Sequence, residues 1–175
     1  MELDVTTSRD AISAPADFDT CYRELFTRVA RTAALVARDP QLGPDLAQEA
    51  FARLYERWDR MASPEHARNF AFRVAVNLAR SHLRRRAAAP FGLSGPEHPT
   101  PDPTASSAAW LTVAAALEDL SPKQRAAVVL VDYADLDAAS AGAVLGMAEA
   151  TVRVHLLRGR RALRARLDLP EEDER

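Results

Sequence analysis

The chain has 175 residues, 47% hydrophobic and 27% charged, with a formal net charge of −2, a composition that suits a globular protein of one ordinary domain or two small ones. It has no run near the ~18 apolar residues of a membrane span, and its acidic start, MELDVTTSRD, lacks the basic-then-apolar order of a signal peptide. Cys21 stands alone, which excludes an internal disulfide and a cysteine metal cluster, and His66, His82, His98 and His155 do not fall at metal-ligand spacings; a cytoplasmic protein with no membrane insertion and no cofactor is expected.

The first element is a helix in which Phe18, Tyr22, Leu25, Phe26, Val29, Ala33 and Val36 recur at three- and four-residue steps, one apolar stripe. Gly43-Pro44 breaks it and supplies a first-turn proline for a second helix, Asp45 to about Arg60, with a stripe of Leu46, Ala50, Leu54 and Trp58 and Phe51 beside it. Ser63, as N-cap before Pro64, starts a third helix. Its expected buried face is Phe70, Val74 and Leu78 with Ala71 and Ala75, and it ends in Arg84-Arg85-Arg86.

From Ala87 to Ala108 come five of the eleven prolines and few bulky apolar residues, the mark of an extended linker. Beyond it, Trp110, Val113, Ala114 and Leu117 predict a short amphipathic helix. Ser121-Pro122-Lys123-Gln124 is a capping box with proline at the first helical position; its helix carries Ala126, Val129 and Leu130. Asp137 can cap a further short helix ending at Leu145-Gly146, and a last helix runs from about Glu149 to Leu167. No segment alternates as a strand would. The expected fold is all-α: a tail at 1–16, a helical domain at 17–87, a Pro-rich linker at 88–107, a second helical domain at 108–168 and an acidic tail at 169–175.

Charge is segregated along this plan. Six arginines and no acid lie between Arg68 and Arg86, and again between Arg153 and Arg166, whereas five acids fall in the first 19 residues and five from Asp168 onward. Two basic segments in a mildly acidic chain suggest local phosphate contacts. A genome rich in GC accounts for twenty-two arginines beside a single lysine, Lys123, but not for their grouping.

The last two helices have the pattern of a helix-turn-helix: Gly142 permits close approach and Gly146 a turn residue with positive φ. On the last helix Val152, Leu156, Gly159, Leu163 and Leu167 form the face that docks, Thr151, His155 and Arg158 a second face, and Arg153, Arg160 and Arg164 a third. Arginine pairs with guanine O6 and N7 or holds phosphate, so a major-groove helix is one reading. A solvated basic face is the other, and it fits Arg161, Arg164 and Arg166 best, since cations near a helix C-terminus favour the macrodipole. In the third helix Arg68, Phe70, Phe72, Arg73, Asn77 and Arg80 combine aromatic and basic groups, as single-stranded nucleic acid requires; Phe70 and Phe72 suit a core equally well.

The order of these segments resembles the bacterial RNA polymerase sigma factors of the extracytoplasmic-function class. Asp45-Leu46-Ala47-Gln48-Glu49-Ala50-Phe51, the run Asn69–Arg80 and His82–Arg86 are similar to sigma region 2. Leu120-Ser121-Pro122-Lys123-Gln124-Arg125, Val144-Leu145-Gly146, Thr151-Val152-Arg153 and Arg160-Arg161-Ala162-Leu163 are similar to region 4. The resemblance implies an alternative sigma factor, not an enzyme, that binds core polymerase through its β′ clamp and β subunits and recognises promoter DNA. By the same resemblance Asp45, Gln48, Glu49 and Phe51 meet polymerase. Phe70, Phe72, Arg73, Asn77, Arg80 and Arg84 hold the melted −10 element, and Thr151, Arg153, His155, Arg158 and Arg160 enter the −35 major groove. An anti-sigma factor is a further implied partner. The chain departs from the family pattern at Phe70, Ser81 and Ala141; Gly142 replaces alanine at about 1 kcal/mol of helix propensity, and Ala148 leaves the last helix without a capping side chain. A helix-turn-helix regulator acting without polymerase and a sigma-like protein-interaction module are the alternatives.

Overall fold

The computed structural model describes residues 17–88 and 108–167, with side chains from residue 110 in the second segment. The predicted linker, apart from residue 88, and the two tails lie outside the described residues. Every regular element described is helical.

The first segment holds α1 (Phe18–Ala37), α2 (Gly43–Tyr55) and α3 (Pro64–Ala88), packed pairwise. Asp17 caps α1 by accepting from the Thr20 amide at 2.8 Å, and Ser63 starts α3 by accepting from the His66 amide at 3.1 Å. Val29, Ala33 and Val36 are buried as their spacing predicts. At the other end of α1, Phe18, Tyr22 and Phe26 join Phe51, Tyr55 and Trp58 in a cluster of tilted and edge-on rings with centroids 4.9–6.3 Å apart, the offset geometry that ring quadrupoles favour. α2 stops at Tyr55 instead of near Arg60. The chain turns there, and a 3₁₀ turn at Trp58–Arg60 brings Trp58 back to within 5.4 Å of Phe18.

The second segment holds α4 (Ala108–Leu117), α5 (Pro122–Val128), α6 (Ala138–Leu145) and α7 (Glu149–Leu167). The capping box forms: the Gln124 amide donates to Ser121 Oγ at 3.4 Å and the Ser121 amide to Gln124 Oε1 at 3.1 Å. α5 widens into a π turn, Val129–Tyr133, in which the Ala134 amide bonds the Val129 carbonyl at 2.9 Å. Asp137 caps α6, accepting from the Ser140 amide at 2.6 Å; these bonds to its ionised form hold the carboxyl below its usual range. Gly146 closes α6 with φ of 68°. On α4, Trp110 and Leu117 are buried as expected but Val113 faces solvent.

α3 differs most from its sequence pattern. Ala67, Ala71, Phe72, Ala75, Val76 and Ala79 are the buried positions, while Phe70, Val74 and Leu78 are only half-buried. The reason is that α3 is packed on two sides, against α1 and α2 and also against α6 of the second domain. Alanines let the backbones approach, and the buried residues of both domains form one continuous cluster.

Candidate nucleic-acid interface

At 100° per residue, Phe70, Arg73, Asn77 and Arg84 fall within an arc of about 60° on α3. Arg73, Asn77 and Arg84 are exposed and Phe70 is half-buried, with the Arg57 guanidinium 5.6 Å from its ring centroid. Arg84 donates to Ser81 Oγ at 2.8 Å, which steadies it on the same side. The result is a strip of cations and one amide around a partly open ring. Arg80 sits at the edge of this arc and donates to the Leu145 carbonyl at 3.5 Å. Phe72 points the opposite way and is wholly buried. It is a core residue, and no base can stack on it while the fold is intact.

α7 docks through Val152, Leu156 and Gly159, all buried, with Leu163 half-buried. Leu167, expected on that face, is 42% exposed. Directly opposite stand Val154, Leu157, Arg158 and Arg161, all exposed. Of these only Arg158 is in the set expected from sequence. Thr151 is exposed and His155 half-buried, at one flank. On the other flank Arg153 pairs with Glu149, Nη2 to Oε1 at 2.5 Å, and Arg160 pairs with Asp132 through two bonds of 2.5 and 3.2 Å. Taking the face opposite the Val152–Leu156–Gly159–Leu163 stripe would have found Val154, Leu157 and Arg161 from the sequence.

The turn before α7 has no room for a side chain at Gly142. A Cβ there would lie 2.7 Å from the Met147 carbonyl oxygen. Glycine at this position is a packing requirement of the turn rather than a loosening of α6.

On α2, Asp45, Gln48 and Glu49 are exposed, and Glu49 accepts from Arg53 at 2.7 Å. Phe51 is buried, 2% exposed, within the aromatic cluster. With Phe18, Tyr22, Gln48, Ala52 and Tyr55 it lines a shallow open groove of about 380 Å³.

Arg125 is the one charged side chain in the core among the described residues, 2% exposed. It donates to the carbonyls of Leu117 and, at 3.5 Å, of Leu35. Burial, reinforced by the Arg38 charge, pulls its pKa down to about 10, so the group remains a cation at neutral pH.

Residues 21–89 match the family described as Sigma-70 region 2, and residues 111–163 match Sigma-70, region 4. The chain is an extracytoplasmic-function sigma factor. It is 31% identical to the RNA polymerase sigma-E factor of Streptomyces coelicolor over 91% of this chain and 90% of that one. It is likewise 31% identical to the ECF RNA polymerase sigma factor SigM of Mycobacterium tuberculosis, over 83% of this chain and 74% of that one. Its fold is similar to that of the sigma factor RpoE from Bartonella quintana, solved in complex with the anti-sigma factor NepR, with a TM-score of 0.71, 22% identity and coverage of 89% and 99%. As a sigma factor it directs promoter recognition by RNA polymerase and is not an enzyme; the reading as a regulator that acts without polymerase gives way. No helix among the described residues is long and apolar enough to cross a membrane.

Proposed function

We propose that this sigma factor divides promoter contact between α3 and α7. Phe70, Arg73, Asn77 and Arg84 hold the melted −10 strand, with Arg80 at the rim. The observation that carries this is the single arc of three exposed polar side chains around a half-buried ring. Guanidinium groups track phosphates while an aromatic face takes an unstacked base. That surface binds open DNA better than closed, and the difference in affinity shifts the promoter toward the open state.

In the −35 major groove, Arg158 and Arg161 supply donors to base edges or phosphate, and Val154 and Leu157 supply apolar contact between them. Thr151, Arg153 and His155 border this face. The exposed Asp45, Gln48 and Glu49 suit an arginine-bearing surface through charge-assisted hydrogen bonds, and the β′ clamp is the polymerase element assigned to them. Phe51 supports that face from beneath. The β subunit is assigned to the second domain. An anti-sigma factor is included as a partner, because a protein of this fold has been solved with one.

The test is permanganate reactivity of thymines in the −10 region with core polymerase. Phe70→Ala should lower that reactivity while leaving duplex binding nearly intact. Unchanged reactivity would remove Phe70 from the site.

A further inference from the structure

Glu149 opens α7 and is the one acid on that helix, beside six arginines. An acid on a helix that meets a polyanion works against affinity, because binding draws on positive charge at each phosphate. The macrodipole accounts for an acid in the first turn, but not for what this one holds. Glu149 Oε1 accepts two bonds from Arg153, from Nε at 2.9 Å and from Nη2 at 2.5 Å. The pair at the same spacing on α2 is looser, Arg53 reaching Glu49 through Nε alone.

Two bonds along one edge fix the direction of a guanidinium as well as its position, since its donors form a rigid planar fork. With the Nε–Nη2 edge held by the carboxylate, the Nη1–Nη2 end is left to point away from it. The Arg153 side chain is 70% exposed, so this end is open to a ligand. Its donors match the O6 and N7 acceptors of guanine in the major groove. A phosphate also accepts from arginine, but carries no sequence information. A carboxylate beside the guanidinium repels phosphate and leaves the base edge as the better partner.

We propose that Glu149 sets base specificity in the −35 element by holding Arg153 end-on to a guanine and away from the phosphates. The role of Glu149 rests on the assignment of α7 to the −35 major groove. Glu149 acts through Arg153 and is a positioning residue. It lowers affinity for DNA at large and raises discrimination at one base pair. Residues in the first turns of a groove-entering helix are those that reach base edges, and Glu149 and Arg153 are both there.

The test uses the full chain with core polymerase and a pool of fragments from a mapped promoter, randomised across the −35 element. Fragments bound by the unsubstituted protein should show a position that prefers guanine. Glu149→Gln, which keeps the size and helix preference of the side chain, should cut that preference about tenfold and leave the other positions as they were. Its binding to unrelated duplex should rise, and the slope of log affinity against log salt should steepen by about one as Arg153 turns to a phosphate. A merely structural Glu149 would move neither. Arg153→Lys keeps the charge but loses the fork, and should lose the same preference. Replacing the selected guanine with 7-deazaguanine removes the N7 acceptor; it should weaken binding of the unsubstituted protein and spare Glu149→Gln. An undiminished guanine preference in Glu149→Gln, with helicity intact, would overturn the proposal, as would one that survives Arg153→Lys or a −35 preference without guanine. If the unsubstituted protein opens the promoter yet selects no base across the −35 element, it is the assignment of α7 that fails.

Discussion

Arg160 of α7 and Asp132 of the π turn form a two-bond ion pair, Nη2 to Oδ1 at 2.5 Å and Nε to Oδ2 at 3.2 Å. The pair ties α7 to the turn beneath it, and this gives Arg160 a structural task that its sequence neighbourhood does not reveal. Both side chains are partly exposed, so the coupling is modest. A double-mutant cycle of Asp132→Ala and Arg160→Ala should show about 0.5–1 kcal/mol of coupling in thermal unfolding. Asp132→Ala should leave −35 base preference unchanged in duplex-binding assays. A changed preference would mean that Arg160 reads a base.

Leu157 is 56% exposed on the outer face of α7. In the proposed −35 contact, an apolar side chain there would meet a thymine through its methyl group. Replacing thymine with uracil at one −35 position should cost about 0.8 kcal/mol of duplex affinity, and Leu157→Ala should abolish that difference. Equal uracil sensitivity in both proteins would assign Leu157 to solvent.

Phe70 and Phe72 separate by stability as well as by function. Phe72→Ala removes a wholly buried ring and should cost about 3–5 kcal/mol in chemical denaturation. Phe70→Ala should cost roughly 1–2 kcal/mol, an ordinary single-site loss, and show its main effect in promoter opening. A reversed order of stabilities would place Phe70 in the core.

Gly142→Ala improves helix propensity by roughly 1 kcal/mol, yet the added methyl meets the Met147 backbone at 2.7 Å. An overpacking cost of about 1–3 kcal/mol should outweigh that gain, giving a net loss of up to about 2 kcal/mol and weaker −35 duplex binding. A stabilised variant would show that the turn has slack.

Asp137 and Asp17 cap α6 and α1 as carboxylates, and the amides that they accept from lower both pKa values. A depressed folded pKa adds stability above the unfolded value of about 3.9, lost as pH falls through the folded one. Denaturation midpoints should therefore fall below about pH 4, and the fall should be shallower in Asp137→Asn with Asp17→Asn, since asparagine caps without titrating. An identical acid limb in both proteins would assign it to other carboxylates.

The helices, their starts and the order of the motifs were legible in the chain because they are written locally. Ser63 and Ser121 each act on an amide three residues on, and Gly146 needs only its own φ. The apolar stripe of α7 was legible for a related reason, since that helix packs on one side. The faces of α3 were not. Its pattern allowed Phe70 or Phe72 in the core, and only the packing of α3 against α1, α2 and α6 decides that Phe72 is buried and Phe70 half-open. Likewise Arg125 and Arg38 look like ordinary surface cations until carbonyl ends some ninety and eighty residues distant in sequence are brought to them. Capping and periodicity act within a turn or two of helix, whereas burial depends on which element arrives from outside, and that is a property of the tertiary structure.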